Sequence, residues 1–263
     1  MKRLFCLILA LCLLSLSACG TKTPAPTEST APSSSSTEAT TEPTTETTTE
    51  ATTEPTTEPA PQAAYELGLC AASSYRDDSG TIWAMGLAEI VNTGEKPLFL
   101  DYGSFDVTDG SGRAILSLSS VAAYPQVILP GERGYYFEVF EPGLPDTQAL
   151  SLTVTPDIRE ATVDAVRYEV TQTQLRNSPY GGLELTGLVK NTTERKGELV
   201  CVAAILLDKD GAPLGIVTTI LTEALNADAQ TDFAADSFML PPEIKADQVK
   251  ELVIYAYPLQ EQP

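Results

Sequence analysis

The chain has 263 residues, with 16 Lys and Arg against 36 Asp and Glu, and a formal net charge of −20 at pH 7. That acidity disfavours nucleic acid and anionic lipid head groups as electrostatic partners, so a charged partner should be cationic or bring bridging cations. Histidine is absent, which removes the usual general base, the Ser-His-Asp arrangement and the commonest metal ligand. No catalytic residue, cofactor or metal site is therefore expected, and no enzymatic activity.

The N-terminus opens with Lys2 and Arg3, followed over residues 4–14 by an uncharged run of Leu, Phe, Cys, Ile and Ala. A stable membrane span needs about 20 apolar residues, so this run reads as a targeting segment. It ends in Leu16-Ser17-Ala18-Cys19. An ordinary signal-peptidase cut after Ala18 would put the bulky Leu16 at a position that prefers a small side chain. The same four residues resemble the lipobox of bacterial lipoproteins. That resemblance implies a signal peptide over 1–18, removal of Cys6 and Cys12 with it, and a diacylglycerol on Cys19. Two acyl chains suffice for stable attachment where one does not. The expected location is the bacterial cell membrane, lipid-anchored and facing outward.

Residues 19–64 form a Thr-, Glu- and Pro-rich tract, which beyond Gly20 has no apolar side chain larger than alanine up to Ala64. Such a segment cannot bury enough surface to offset its ordering entropy and is expected to be disordered. Glu38, Glu42, Glu46, Glu50, Glu54 and Glu58 recur every fourth residue. On a helix that spacing would stack like charges, and Pro43, Pro55 and Pro59 interrupt it further. Extended as polyproline II, about 45 residues reach on the order of 140 Å. The tract reads as a tether, with a composition that also permits a glycosylated stalk.

The remainder contains a repeat. Ile90-Val91-Asn92-Thr93-Gly94 matches Val189-Lys190-Asn191-Thr192-Thr193, and Val107 to Gly112 matches Leu206 to Gly211, both at an offset of 99. Residues 129–137 align with 225–233 at an offset of 96, and Tyr65-Glu66-Leu67 resembles Tyr168-Glu169-Val170. Two domains follow, over 65–157 and 158–263. In the first, strands are expected at 65–74, 81–91, 97–108, 114–122, 134–140 and 149–155. In the second they are expected at 166–175, 183–190, 198–207, 213–221, 231–238 and 252–257, with one helical turn within 242–250. Asp78-Ser79-Gly80, Asn92-Thr93-Gly94, Asp109 to Gly112 and Pro130-Gly131 supply the turn chemistry. Six or seven strands in about a hundred residues argue an all-β chain of two tandem immunoglobulin-like β-sandwiches. The short join over 156–164 suggests that they touch and form a semi-rigid rod.

The run Gly187 to Thr192, followed by Ala204 to Gly211, resembles the FxLYD domain, named for a Phe-x-Leu-Tyr-Asp strand end that leads into a glycine turn. The first copy has Phe105-Asp106-Val107-Thr108-Asp109, keeping the Phe and Asp, and the second keeps Leu206 and Asp208. The resemblance spans both copies and implies β-sandwiches of cell-surface lipoproteins, without catalytic residues to carry over.

Several side chains are candidates for function. Tyr75 and Tyr180 occupy corresponding first-hairpin loops and are possible partner contacts. Trp83 lies in an alternating strand and is expected in the core. Tyr135, Tyr136 and Phe137 alternate faces, so at least one should be exposed. Cys70 and Cys201 fall at non-equivalent positions and read as buried free thiols, an interdomain bridge being the alternative. Asp208-Lys209-Asp210-Gly211 begins like a calcium loop but has Thr219 where an acidic ligand belongs, so a hairpin turn is expected. The sequon at Asn191 is likewise a turn.

The leading functional expectation is a membrane-anchored lipoprotein displaying two non-catalytic modules toward an envelope protein or surface polymer. A small-ligand or glycan receptor beside a transporter is the alternative, and would need a cleft between the copies. An envelope hydrolase would need paired carboxylates.

Overall fold

A computed structural model describes residues 63–179, 181–237 and 239–260, which lie within the compact unit Thr57–Pro263. The leader, Cys19, the tether and Tyr180 lie outside the described residues. The structure is all-β: the described residues contain strands and turns and no helix.

The first sandwich comprises β1 (Tyr65–Arg76), β2 (Ile82–Asn92), β3 (Leu98–Leu100), β4 (Gly103–Asp109), β5 (Ala114–Val121), β6 (Ala123–Tyr124), β7 (Val127–Ile128), β8 (Arg133–Phe140), β9 (Leu150–Thr155) and β10 (Ile158–Glu160). One sheet has the order β1-β2-β8-β6, and it is faced by β5-β4-β9 and β10-β3-β7. Ile158–Glu160 pairs with Leu98–Leu100, so the first sandwich runs on to Glu160, past the expected end at 157. The second sandwich comprises β11 (Glu169–Asn177), β12 (Leu183–Lys190), β13 (Val200–Leu207), β14 (Pro213–Ile220), β15 (Gln230–Asp236) and β16 (Glu251–Pro258), as sheets β11-β12-β15 and β14-β13-β16. All pairs are antiparallel.

The duplication is visible in the side-chain bonding. Asn92 and Asn191 are both buried at the end of the second strand of their copy. Asn92 Nδ2 donates to the carbonyls of Lys96 (2.9 Å) and Ile128 (3.1 Å), and its Oδ1 accepts from Gly94 N (3.0 Å). Asn191 Nδ2 donates to Arg195 O (2.7 Å) and Leu225 O (2.9 Å), and its Oδ1 accepts from Thr193 N (2.9 Å). Each asparagine thus folds its own turn and ties it to a neighbouring strand.

These bonds also correct the register. Ile128 corresponds to Leu225, and the pairs Ala88↔Tyr136 and Gly187↔Phe233 correspond, so the offset here is 97 rather than 96. A slip of one residue exchanges the two faces of a strand. Phe233 is therefore the counterpart of the core residue Tyr136, not of Phe137.

Asp77, Asp109 and Asp208 perform one job three times. Each carboxylate accepts the amides two and four residues on, closing a tight turn that ends in a positive-φ glycine. Hydrogen bonds hold all three carboxyls below their ordinary range, led by the Ser79 hydroxyl for Asp77, the Ser111 hydroxyl for Asp109 and the Ala212 amide for Asp208. Asp208 to Gly211 is thus a hairpin turn. The expected helical turn in 242–250 is instead two separate turns, closed by Ile244 N to Pro241 O and Gln248 N to Lys245 O. Consecutive prolines at 241 and 242 lack the amides a helix start would use, and Gln248 Oε1 takes the Lys245 amide.

Candidate functional site at the seam between the sandwiches

Strand β13, Val-Cys-Val-Ala-Ala-Ile-Leu-Leu, is buried at every position. Val200, Val202, Ala204 and Leu206 enter the core of their own sandwich with Leu185, Phe233 and Val217. Cys201, Ala203, Ile205 and Leu207 point the other way and pack with Leu87 and Tyr135 of the first sandwich. Tyr257 and Ile216 join them, and Phe137 packs against the same cluster. The copies are therefore joined broad face to broad face, sheet β1-β2-β8-β6 against sheet β14-β13-β16. The copies thus touch, as the short join suggests, and they do so through sheet faces. This packing also explains why Tyr135 and Tyr136 are both buried and Phe137 partly so. The face that alternation left for solvent is covered by the second copy.

The contact is asymmetric, and the corrected alignment shows how. The seam face of the first copy carries Met85, Leu87, Tyr135 and Phe137, where the second copy has Glu184, Thr186, Asp232 and Ala234. The seam face of the second copy carries Ala203, Ile205 and Leu207, where the first has Ser104, Asp106 and Thr108. Each sandwich is apolar where it meets the other and polar at the corresponding free face. A head-to-tail contact of this kind could otherwise repeat without closing; the polar free faces end it at two.

Polar bonds rim the seam. Arg167 donates to Val127 O (2.6 Å) and Glu132 Oε2 (3.2 Å) while its guanidinium lies 5.2 Å from the Tyr255 ring centre. Gln260 N donates to Gln126 Oε1 (2.9 Å), and the Tyr75 hydroxyl donates to Met239 O. Glu89 is buried on this same face of β2, beside Leu87 and opposite Tyr135, accepting from Arg133 Nη1 (2.6 Å) and the Tyr135 hydroxyl (3.2 Å). An apolar centre with a hydrogen-bonded rim is the usual anatomy of a stable interface.

Three clefts lie along the seam, and neighbouring ones share lining residues. The first, of about 440 Å3, is lined by Tyr75, Asp77, Asp78 and Trp83 from one sandwich and Gly181, Gly182, Met239 and Leu240 from the other. The second, of about 240 Å3, shares Met239 and Leu240 with it and adds Glu138, Ile216 and Asp236. The third, of about 370 Å3, shares Tyr124 and Thr218 with the second and adds Tyr102, Cys201 and Tyr257. Among the described residues, no Arg or Lys lines any of the three.

The candidates from sequence fall in different places. Tyr75 is not a free loop contact: it sits in β1 with a buried ring, and burial pushes its hydroxyl up to about 12. Trp83 is not in a sandwich core. It lies half-buried on the outward face of β2, its Nε1 bonded to Asp77 Oδ2 at 3.0 Å, in the wall of the first cleft. Cys70 is exposed rather than buried, with its thiol 3.3 Å from Leu152 O. Cys201 is buried in the seam, where desolvation pushes its thiol up to about 11. Both are free thiols, and no bridge joins the copies through them. Sequence reasoning missed Tyr102, Tyr124 and Tyr257 as cleft residues; the unbroken apolar run of β13 was the available signal.

No family model matches the chain, and no curated protein matches it. Among solved structures it is similar to a beta-glucuronidase from glycoside hydrolase family 2, at 10% identity and a TM-score of 0.21. The match covers 71% of this chain and 25% of that one.

Proposed function

We propose that the protein is a bacterial surface lipoprotein, anchored through Cys19, whose two FxLYD-like sandwiches act as one non-catalytic binding body for an envelope protein or surface polymer. The Phe-x-Leu-Tyr-Asp pattern supports the domain reading, because Phe105, Val107 and Leu206 are core residues and Asp109 and Asp208 close the turns that follow. The observation that carries the binding reading is the series of adjoining clefts that both sandwiches line. Aromatic walls give contact area, while Asp78, Glu138 and Asp236 favour a neutral or cationic partner. The lipobox resemblance supports the anchor, and the tether's reach supports display away from the bilayer.

Trp83 is the sole tryptophan and lies in the first cleft, so its emission reports occupancy. Titration with soluble cell-wall glycan fragments and with purified envelope proteins should give a saturable change in emission. Thr218→Arg, which obstructs the junction of the second and third clefts, should weaken that binding at least tenfold. Saturable binding with no change at Trp83 and none in the Thr218 variant would place the partner elsewhere. In cells, Cys19→Ala should release the protein from the membrane fraction; undiminished retention would remove the anchor from the reading.

A further inference from the structure

The first two clefts differ from the third in the state of their carboxylates. In the third, the charge of Asp101 is met by Arg159 at 2.6 Å. The first and second, which share Met239 and Leu240, are lined by Asp77, Asp78, Glu138 and Asp236, and none of these four is in an ion pair among the described residues. Asp77 accepts from neutral donors, the Ser79 and Thr81 amides and the Trp83 indole. Arg176 feels the Asp236 charge but is held by Glu184 through bonds of 2.9 and 2.8 Å. Among the described residues, Glu138 accepts only from the adjacent Val139 amide, at 3.2 Å. It does so half-buried in a seam strand, where desolvation pushes its carboxyl up. A carboxylate so placed gains more from an incoming cation than an exposed one, because less water competes for it.

The apolar part of the wall decides which kind of cation fits. Phe137, Ile216, Met239 and Leu240 offer hydrocarbon and aromatic surface beside the carboxylates. Trp83 gives its N–H to Asp77, which leaves the indole face for a partner, and that face attracts an ammonium or guanidinium. Lysine and arginine side chains carry both parts, an aliphatic stem and a charged head. Two depressions that meet at Met239 and Leu240 suit successive side chains of an extended segment. A second copy of the chain, at a net charge of −20, has the wrong sign to fill them.

We infer that the first and second clefts form one groove that takes an extended basic segment of a protein partner, its Lys or Arg side chains laid over Trp83 and against Glu138 and Asp236. The groove exists only where the sandwiches meet, since Trp83 and Glu138 come from one and Asp236 and Leu240 from the other. The inference rests on the reading of the clefts as a binding face and names its occupant.

The test uses the mature chain and acetylated, amidated heptapeptides: one alternating Lys with Leu and Phe, one with Gln in place of every Lys, and one with Glu. Binding is read by the anisotropy of a label on the peptide, and its place by Trp83 emission, since the peptides contain no tryptophan. The Lys peptide should bind saturably, change Trp83 emission and bind about tenfold more tightly than the Gln peptide, while the Glu peptide should not bind. Charge alone would draw a basic peptide to any part of so acidic a chain, so two double variants of equal charge separate the groove from the background. Glu138→Gln with Asp236→Asn should weaken the Lys peptide about tenfold. Glu194→Gln with Glu223→Gln, exposed residues beyond the Lys190↔Gln230 end of the second sandwich and away from Asp236, should change it by no more than about twofold. Equal losses in the two variants, no preference for Lys over Gln, or a chitosan oligomer bound as tightly as the peptide would each overturn the inference. Binding of an envelope protein or glycan fragment that Thr218→Arg weakens, with no preference among the peptides, would overturn it while leaving the wider reading in place.

Discussion

Replacing Ile205 by aspartate should destabilise the protein by on the order of 4 kcal/mol or more, enough to unfold a large fraction of a domain of ordinary stability. Ile205 is fully buried in the seam, between Ala203 and Leu207 and against the first sandwich. The substitution removes apolar burial and puts a carboxylate where the cluster offers only hydrocarbon and aromatic neighbours. The same acid is tolerated one repeat earlier: Asp106 is the structural counterpart, on an exposed face, bonded to the Ser117 hydroxyl. Asp106→Ala should therefore change stability by no more than about 0.5 kcal/mol. Urea midpoints of the two variants make the comparison. Equal midpoints would mean that the seam contributes little to stability. The second sandwich produced alone, with Cys201, Ala203, Ile205 and Leu207 uncovered, should self-associate for the same reason.

Asn191→Ala should cost about 3 kcal/mol, and Asn92→Ala about the same in the first copy. Each loses two donors to buried or partly buried carbonyls and one acceptor for a turn amide, leaving those groups unpaired. Asn191→Asp discriminates between causes. It keeps the oxygen that accepts from Thr193 but sets a carboxylate against the carbonyls of Arg195 and Leu225, so it should be at least as damaging as alanine. Denaturant unfolding of the three variants checks this; an aspartate as stable as wild type would show that the donors do not matter. The full burial of Asn191 also means that the sequon's amide is inaccessible in the folded chain.

Much of the fold is legible in the sequence. Turn residues mark most strand ends, and the paired Asn and Asp-x-x-Gly motifs reveal the duplication because each performs a local job that needs only a few neighbouring residues. The arrangement of the copies is less legible, because it depends on which of two similar faces meets the other. Alternation predicts one buried and one solvated face, and that holds for β4, where Phe105 and Val107 are buried and Asp106 is exposed. It fails for β13, whose eight apolar residues are the mark of a strand covered on both sides. A register slip of one residue hid the comparison that reveals the seam, since it set Phe233 opposite Phe137 and mixed inward with outward positions. Tyr75 and Trp83 read as loop and core residues because hairpin sequence alone does not show that Met239 and its neighbours from the other copy sit against them.

The two sandwiches form one body through this seam. Equilibrium unfolding in urea, followed at once by Trp83 emission and by far-ultraviolet circular dichroism, tests it most directly. Trp83 reports the seam end of the first sandwich, whereas circular dichroism reports the strands of both. A single transition is expected in which the two signals coincide, with a steepness fitting about 200 residues unfolding together. Two separated transitions, with Trp83 changing in only one of them, would contradict it.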